Sequence, residues 1–206
     1  MSRYTQIAFT PAVREQQRAH GSDRAYQGRA EDSPDAPIGE FEEQFIGQAN
    51  SFFLASVTET GWPYVQHRGG PRGFVHVLDE RTIAFADYRG NRQYVSVGNL
   101  TCDDRVALFF VDYTYQARLK AFGHARIVTE LDDPELLNRL APADGYQAKV
   151  ERAVVIAIEG STWNCNQHIP LLLPEDTVRR RVEELTSTIA ELERRLAQTR
   201  QGNGAA

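Results

Sequence analysis

At 206 residues and 23.2 kDa, against roughly 100 to 200 residues per domain, the chain has room for one well-filled domain with appendages. Hydrophobic residues at 41% and charged residues at 25% lie near the averages for globular chains and exclude wholesale disorder or collagen-like composition. With 28 acidic against 23 basic residues the formal charge is -5, so no global electrostatic footprint for duplex nucleic acid or anionic lipid is present. Cys102 and Cys165 stand far apart, with no CxxC pair and no Cys/His cluster at zinc spacing, so neither a metal site nor a disulfide framework is expected. Two free thiols fit a reducing compartment. Met1 to Ala30 is polar and arginine-bearing, and no later stretch reaches the ~18 apolar residues of a membrane span. A cytoplasmic protein is expected.

The first forty residues, the run from Arg29 to Pro37 included, are rich in Gly, Asp, Glu and Pro. That composition disfavours regular structure and suggests an N-terminal arm (1–40) lying over a neighbouring surface, with Ile7, Phe9 and Val13 as apolar anchors. Phe41, Phe45 and Ile46 recur at helical spacing between Glu40 and Gln48 and predict a short amphipathic helix. Phe52 to Thr58 is an apolar β-favouring run closed by Glu59-Thr60-Gly61, a hairpin turn before Pro63 to His67. The glycines and proline of Arg68 to Gly73 demand a turn or bulge, after which Phe74 to Leu78 resumes as strand. Thr82 to Ala86, Val106 to Val111, Leu119 to Val128 and Ala153 to Ile158 add four more strands. Short strands joined by tight turns predict a mainly β fold, an antiparallel barrel or sandwich over residues 41–173.

Helix signals interrupt the strands twice. Asn91 to Leu100 suits a helix beginning just after Gly90, and Pro134 to Leu140 suits another capped by Asp132 or Asp133. In the tail (174–206), Val178, Val182, Leu185, Ile189, Leu192 and Leu196 alternate spacings of four and three. This is a heptad seam, with Glu183, Glu184, Glu191, Arg194 and Arg195 around it, and predicts an amphipathic helix packed either on its own barrel or on a second subunit.

Three segments carry candidate chemistry. Tyr88-Arg89-Gly90-Asn91-Arg92-Gln93 follows a strand and opens a helix, where unpaired N–H groups and the Arg92 fork suit an anion; the same residues also read as a surface cap with solvated arginines. In Pro63 to Gly70, Gln66, His67 and Arg68 alternate sides of a strand end, where polar groups can meet a flat heteroaromatic ligand. His67, His76 and His124 also fit ordinary structural or surface positions. Trp163, Asn164, Gln167 and His168 place amide and imidazole groups beside an aromatic wall, the makings of a pocket rim, whereas a Cys165/His168 nucleophilic pair has no activating context.

Taken together, PYVQHRGGPRGF, FADYRGNRQYVSVGNL, DDRVALFFVDY and WNCNQHI resemble the pyridoxamine 5'-phosphate oxidase-like, FMN-binding split-barrel family over about Phe45 to Pro170. The resemblance implies a split β-barrel homodimer with FMN at the subunit interface. It implies that Gln66, His67 and Arg68 border the isoalloxazine and ribityl chain, that Ala86 and Asp87 touch the cofactor from the next strand, and that Arg118 reaches it from the second subunit. The family's phosphate loop, typically Ser-Arg-Lys, aligns with Asn91-Arg92-Gln93, where only the arginine is kept; Arg68 and Arg89 are the cations available to replace the lysine. Asn166 stands where proline is usual, and Asn166-Gln167-His168 replaces the Arg-x-His that pairs a substrate phosphate, so vitamin B6 oxidation is not implied. The expectation is an FMN-dependent oxidoreductase acting on a small molecule, with Trp163, Asn164, Gln167 and His168 shaping the open face of the flavin and no metal. The alternatives are a non-catalytic flavin-binding or sensing module and a haem-handling barrel with His67, His124 or His168 as iron ligand.

Overall fold

A computed structural model describes residues 3–27, 37–142 and 145–203. The chain divides into two units, Met1–Asp112 with Ala117–Asn166, and Tyr113–Gln116 with Gln167–Ala206. None of the described helices is long and apolar enough to cross a membrane.

The first unit begins with three short helices, α1 (Arg3–Ala8), α2 (Pro11–Ala19) and α3 (Asp23–Gln27), where an irregular arm was expected. The overlooked signal is Thr10-Pro11: the Thr10 hydroxyl accepts from the Val13 N–H, and Pro11 takes the first helical position, where its missing N–H costs nothing. The anchor also differs from expectation. Tyr4 stacks on Phe122 at 5.0 Å, while Val13 is exposed and Phe9 packs edge-on against Tyr26. Of the Gly/Asp/Glu/Pro-rich run from Arg29, residues up to 36 lie outside the described residues.

Helix α4 (Glu40–Gln48) forms where the spacing predicts it, with the Gly39 N–H donating to Glu42 Oε2 at 3.0 Å; Ile46 is buried and Phe41 remains exposed. Seven strands follow: β1 (Ser51–Val57), β2 (Pro63–Gly69), β3 (Val75–Asp79), β4 (Thr82–Tyr88), β5 (Arg105–Asp112), β6 (Ala117–Val128) and β7 (Val150–Trp163). They make one sheet in the order β2-β1-β5-β6-β7-β4-β3, antiparallel at every pairing.

The period-2 pattern of these strands rolls the sheet up. Phe52 and Leu54 of β1, Ile83 and Phe85 of β4, Leu108 and Phe110 of β5, and Val154 and Ile156 of β7 join one buried cluster. In a flat sheet β1 and β4, four places apart, would be separated by about 19 Å. Instead the Phe52 ring lies 5.2 Å from Phe85, 6.0 Å from Phe74 and 4.8 Å from Phe110. The two ends of the sheet therefore face each other without a hydrogen-bonded ladder between β2 and β4, and the expected split β-barrel is the fold observed. Gly123 makes the tightest approach in this sheet: at the β6/β7 register shift, an added Cβ would stand 2.4 Å from the Ala157 carbonyl oxygen. Because the obstacle is backbone, Gly123→Ala is expected to destabilise by about 1–3 kcal/mol, read from a denaturant midpoint.

Two further helices pack on the barrel. Helix α6 (Pro134–Arg139) is capped by Asp133, whose Oδ1 accepts from the Leu136 N–H at 2.9 Å, and Leu136 and Leu140 cover Ala84, Ala86, Val128, Ala153 and Val155. Burial, and second the charge of Arg139, hold the His76 imidazole below its ordinary range. His76 then stays neutral in the native state at pH values where the unfolded chain is already protonated, so its contribution lowers stability as pH falls through the unfolded imidazole range. His76→Gln is expected to flatten the fall in Tm between neutral and mildly acidic buffer.

Helix α5 (Val95–Cys102) turns two buried polar side chains toward the barrel. Asn99 Nδ2 donates to Ser56 Oγ at 2.9 Å, and Ser96 Oγ donates to Gln66 Oε1 at 3.0 Å. These bonds tie α5 to β1 and β2 and so fix the segment that precedes it.

In the second unit, Tyr113–Gln116 is tied to the segment after β7: Leu172 N–H donates to the Tyr113 carbonyl, Thr114 Oγ1 to the Leu172 carbonyl and Gln116 Nε2 to the Ile169 carbonyl. Helix α7 (Glu175–Asn203) follows Pro174, as the heptad pattern predicts.

Candidate functional site

At the end of the barrel where β2 and β4 finish and β7 begins, three polar side chains cap the interior. Asp87 follows Phe85 on the inward face of β4, and Arg152 precedes Val154 on the inward face of β7, with the two residues directly paired in register. From β2, Arg68 Nη1 donates to Asp87 Oδ1 at 2.7 Å, and Arg152 Nε lies 3.5 Å from Asp87 Oδ2, too poorly aligned for a hydrogen bond. In a flat sheet β2 and β4 would be about 24 Å apart. This ion pair is what bridges the split. The Nε atoms of both Arg68 and Arg152 are buried donors without an acceptor among the described residues. Arg68 also stands over the Phe85 ring, and Arg152 over the Tyr94 ring at 5.0 Å.

Beyond this cap lies the segment Arg89 to Tyr94. Arg89 Nε donates to Glu151 Oε1 at 2.6 Å, Arg152 Nη2 donates to Glu151 Oε2 at 2.8 Å, and the Tyr94 hydroxyl donates to Glu151 at 3.4 Å. Arg89, aided by Arg152 and partly opposed by desolvation, lowers the Glu151 carboxyl below its ordinary range. Both cations expected to replace the family's lysine, Arg68 and Arg89, are thus already paired with carboxylates.

The helix does not begin after Gly90. Asn91 Oδ1 accepts from the Gln93 N–H at 3.1 Å, and Arg92 and Tyr94 hold φ of 59° and 54°, left-handed values that a right-handed helix cannot continue through. The helix therefore starts at Val95, and Tyr94 offers its first turn no side-chain cap. Gly90 itself has no positive φ and nothing within 4 Å of an added Cβ. Of the two strained residues Tyr94 bonds Glu151, whereas Arg92 is exposed and without a hydrogen bond or ion pair among the described residues. Four guanidiniums (Arg68, Arg89, Arg92, Arg152) against two carboxylates (Asp87, Glu151) leave the corner with net positive charge.

The other sequence-predicted residues are placed as follows. Gln66 joins this corner, its Oε1 accepting from Ser96 and Tyr64. His67 points to the opposite face of β2 with exposed Val65, edge-on to Phe53. The Ala86 methyl is buried under α6 and not in the corner. Asn91 and Gln93 are exposed on the loop. At the far end of β7, Trp163 Nε1 donates to Glu42 Oε1 and its ring meets Phe45 edge-on at 4.9 Å. Arg118 donates from Nε and Nη2 to the Cys165 carbonyl at 2.9 and 2.7 Å, and the Asn164 N–H donates to the Arg118 carbonyl. Trp163 is eleven residues along β7 from Arg152, up to about 36 Å on an extended strand, so Trp163 and the loop lie at opposite ends of β7. Gln167 and His168 are exposed in the second unit, His168 with φ 63°. His124 is held by Asp104 at 2.8 Å on exposed surface, and among the described residues no group of three or more His, Cys, Asp or Glu could hold a metal ion.

The sequence reading missed Glu151 and Arg152. They precede the run Ala153 to Ile158, and a charged pair entering an otherwise apolar buried strand is the signal that marks them.

No curated protein matches this chain. Among solved structures it is similar to HupZ of Group A Streptococcus (15% identity, 66% of this chain and 99% of that one, TM-score 0.46), an FMN-binding protein of Syntrophomonas wolfei (13%, 64% and 85%, 0.45) and an FAD binding protein of Mycobacterium smegmatis (13%, 62% and 94%, 0.43). The family model for pyridoxamine 5'-phosphate oxidase matches residues 38–163, which run from just before α4 to the last residue of β7 and so include the whole barrel and its arginine-rich corner. The chain belongs to the pyridoxamine 5'-phosphate oxidase family.

Proposed function

We propose that two copies of this chain hold flavin mononucleotide between them and act as a flavin-dependent oxidoreductase on a small molecule. The observation that carries this reading is Arg92: a strained, exposed, unpaired guanidinium beside three others that are all engaged. A left-handed arginine costs about 1–2 kcal/mol, and a phosphate that accepts its fork offsets that cost. The uncapped first turn of α5 supplies further N–H donors, and the orphaned Nε atoms of Arg68 and Arg152 fit a site meant to face an anion. Asp87 serves as a positioning residue, since it faces guanidiniums on both oxygens. Bound flavin supplies the hydride acceptance and donation.

The partner subunit is needed because the loop and the rim lie at opposite ends of β7. Supporting this, the outer face of β2-β1-β5-β6 carries a mostly apolar groove of about 370 Å³, where Phe53, Val65, Phe109 and Phe122 lie beside Tyr4 and Lys120, suited to a second barrel. Arg118 holds Asn164 and Cys165 in place as the edge that the partner's flavin would meet. Cys102 and Cys165 are exposed thiols, consistent with a cytoplasmic setting.

Absorbance of freshly purified protein, followed by release and mass measurement of the chromophore, tests the reading; FMN is the expected mass, and a Soret band or a colourless protein that takes up no FMN contradicts it. A second reading, flavin held without turnover, is favoured by Asp87 and Glu151, which are both paired and offer no general base. Anaerobic mixing with NADH and NADPH separates the two: bleaching of the flavin band supports the oxidoreductase, and an unbleached band supports the module without turnover.

A further inference from the structure

Helix α7 carries an apolar stripe that nothing else in the second unit covers. Val178, Val182, Leu185, Ile189, Leu192 and Leu196 are each between 44% and 58% exposed, along ~27 Å of helix. The helix is also poorly suited to stand alone. Its centre reads Thr186-Ser187-Thr188, three residues of low helix propensity, and the hydroxyls of Thr186 and Thr188 bond back to the carbonyls of Val182 and Glu184 at 2.8 and 2.9 Å. A continuous helix through that centre needs a partner along its stripe.

We infer that α7 pairs with α7 of a second copy as a parallel, in-register, two-stranded coiled coil. The register places Val182, Ile189 and Leu196 at the a positions and Val178, Leu185 and Leu192 at d. β-Branched Val182 and Ile189 at a with Leu185 and Leu192 at d favour two parallel strands, and only the end positions, Val178 and Leu196, depart from that pattern. Arg179, Arg181 and Arg195 are each paired within their own helix, with Glu175, Glu184 and Glu191. In the parallel arrangement Arg181 meets the partner's Thr186 and Thr188 meets the partner's Glu193, and the one like-charge pair, Arg195 with Arg200, falls beyond the last stripe residue. The antiparallel register that buries the same six residues sets Arg181 against the partner's Arg195 inside the stripe and Arg179 against the partner's Glu193, so the layers at a and d carry the choice of direction. The small threonines at the central e and g positions let the two helices approach closely. This contact needs neither the cofactor nor the barrel face.

In full-length protein carrying Cys102→Ser and Cys165→Ser, a single Leu196→Cys places two a-position thiols within disulfide reach in the parallel coil. Mild oxidation is expected to give mainly a disulfide-linked dimer on a non-reducing gel. Adding Leu185→Asp and Ile189→Asp, with folding of the barrel verified by near-UV circular dichroism, is expected to cut the cross-linked fraction about tenfold. The inference is overturned if the Leu196→Cys protein stays uncrosslinked, if it links efficiently only to a Val178→Cys protein in a mixture, or if the aspartates leave cross-linking unchanged.

Discussion

Arg92→Glu loses FMN affinity by at least about a hundredfold, measured by quenching of flavin fluorescence on titration. Removing charge-assisted hydrogen bonds to a phosphate accounts for about 1.5–3 kcal/mol, and the introduced carboxylate adds repulsion. The fold is expected to be unaffected: Arg92 is exposed and bonds to nothing among the described residues, so Tm stays within about 2 °C of the unmodified protein. Purified Arg92→Glu protein that stays yellow with unchanged affinity removes Arg92 from the phosphate site.

The second large effect is on stability. Asp87→Ala leaves Arg68, its side chain only 14% exposed, without a carboxylate and Arg152, 18% exposed, with Glu151 alone, and is expected to cost about 3–5 kcal/mol. The loss comes from uncompensated charge at the split of the barrel, so it is read as a lower denaturant midpoint. Adding Arg68→Met to Asp87→Ala removes the stranded charge and is expected to recover part of that loss. Equal effects of the single and double variants would mean that the ion pair does not hold the split together. The surface pair Arg3–Glu159 provides the contrast: Arg3→Ala is expected to cost less than about 1 kcal/mol.

Most of the barrel was legible because its signals are local. The alternation of Phe52, Leu54 and Ser56 against Phe53, Ala55 and Val57 defines β1, and the heptad seam defines α7 before any tertiary contact is known. β7 was read as Ala153 to Ile158, yet it runs from Val150 to Trp163. Its polar flanks, Glu151-Arg152 and Glu159 to Thr162, hide the strand because their partners, Arg89, Asp87 and Arg3, are distant in sequence. The start of α5 was misplaced for a different reason. Asn91 bonds the Gln93 N–H, and that local bond competes with a first helical turn.

The candidate site was legible residue by residue but not as an arrangement. Gln66, Arg68 and Asp87 do converge on one end of the barrel, and Arg89 and Tyr94 tie the loop that carries Arg92 to Glu151 there, whereas alternation along β2 sends His67 to the other face. Trp163, Asn164 and Arg118 gather at the opposite end of β7. Sequence shows that loop and rim segments both exist; the strand that separates Arg152 from Trp163 is visible only in the fold, and the proposal of a two-chain site rests on it.

Native mass spectrometry of the protein saturated with FMN tests this most directly. The account predicts one dominant species of two chains with two FMN molecules, which Arg92→Glu converts to a dimer without flavin. A single chain that retains FMN, or a dimer that takes up none at saturation, would contradict it.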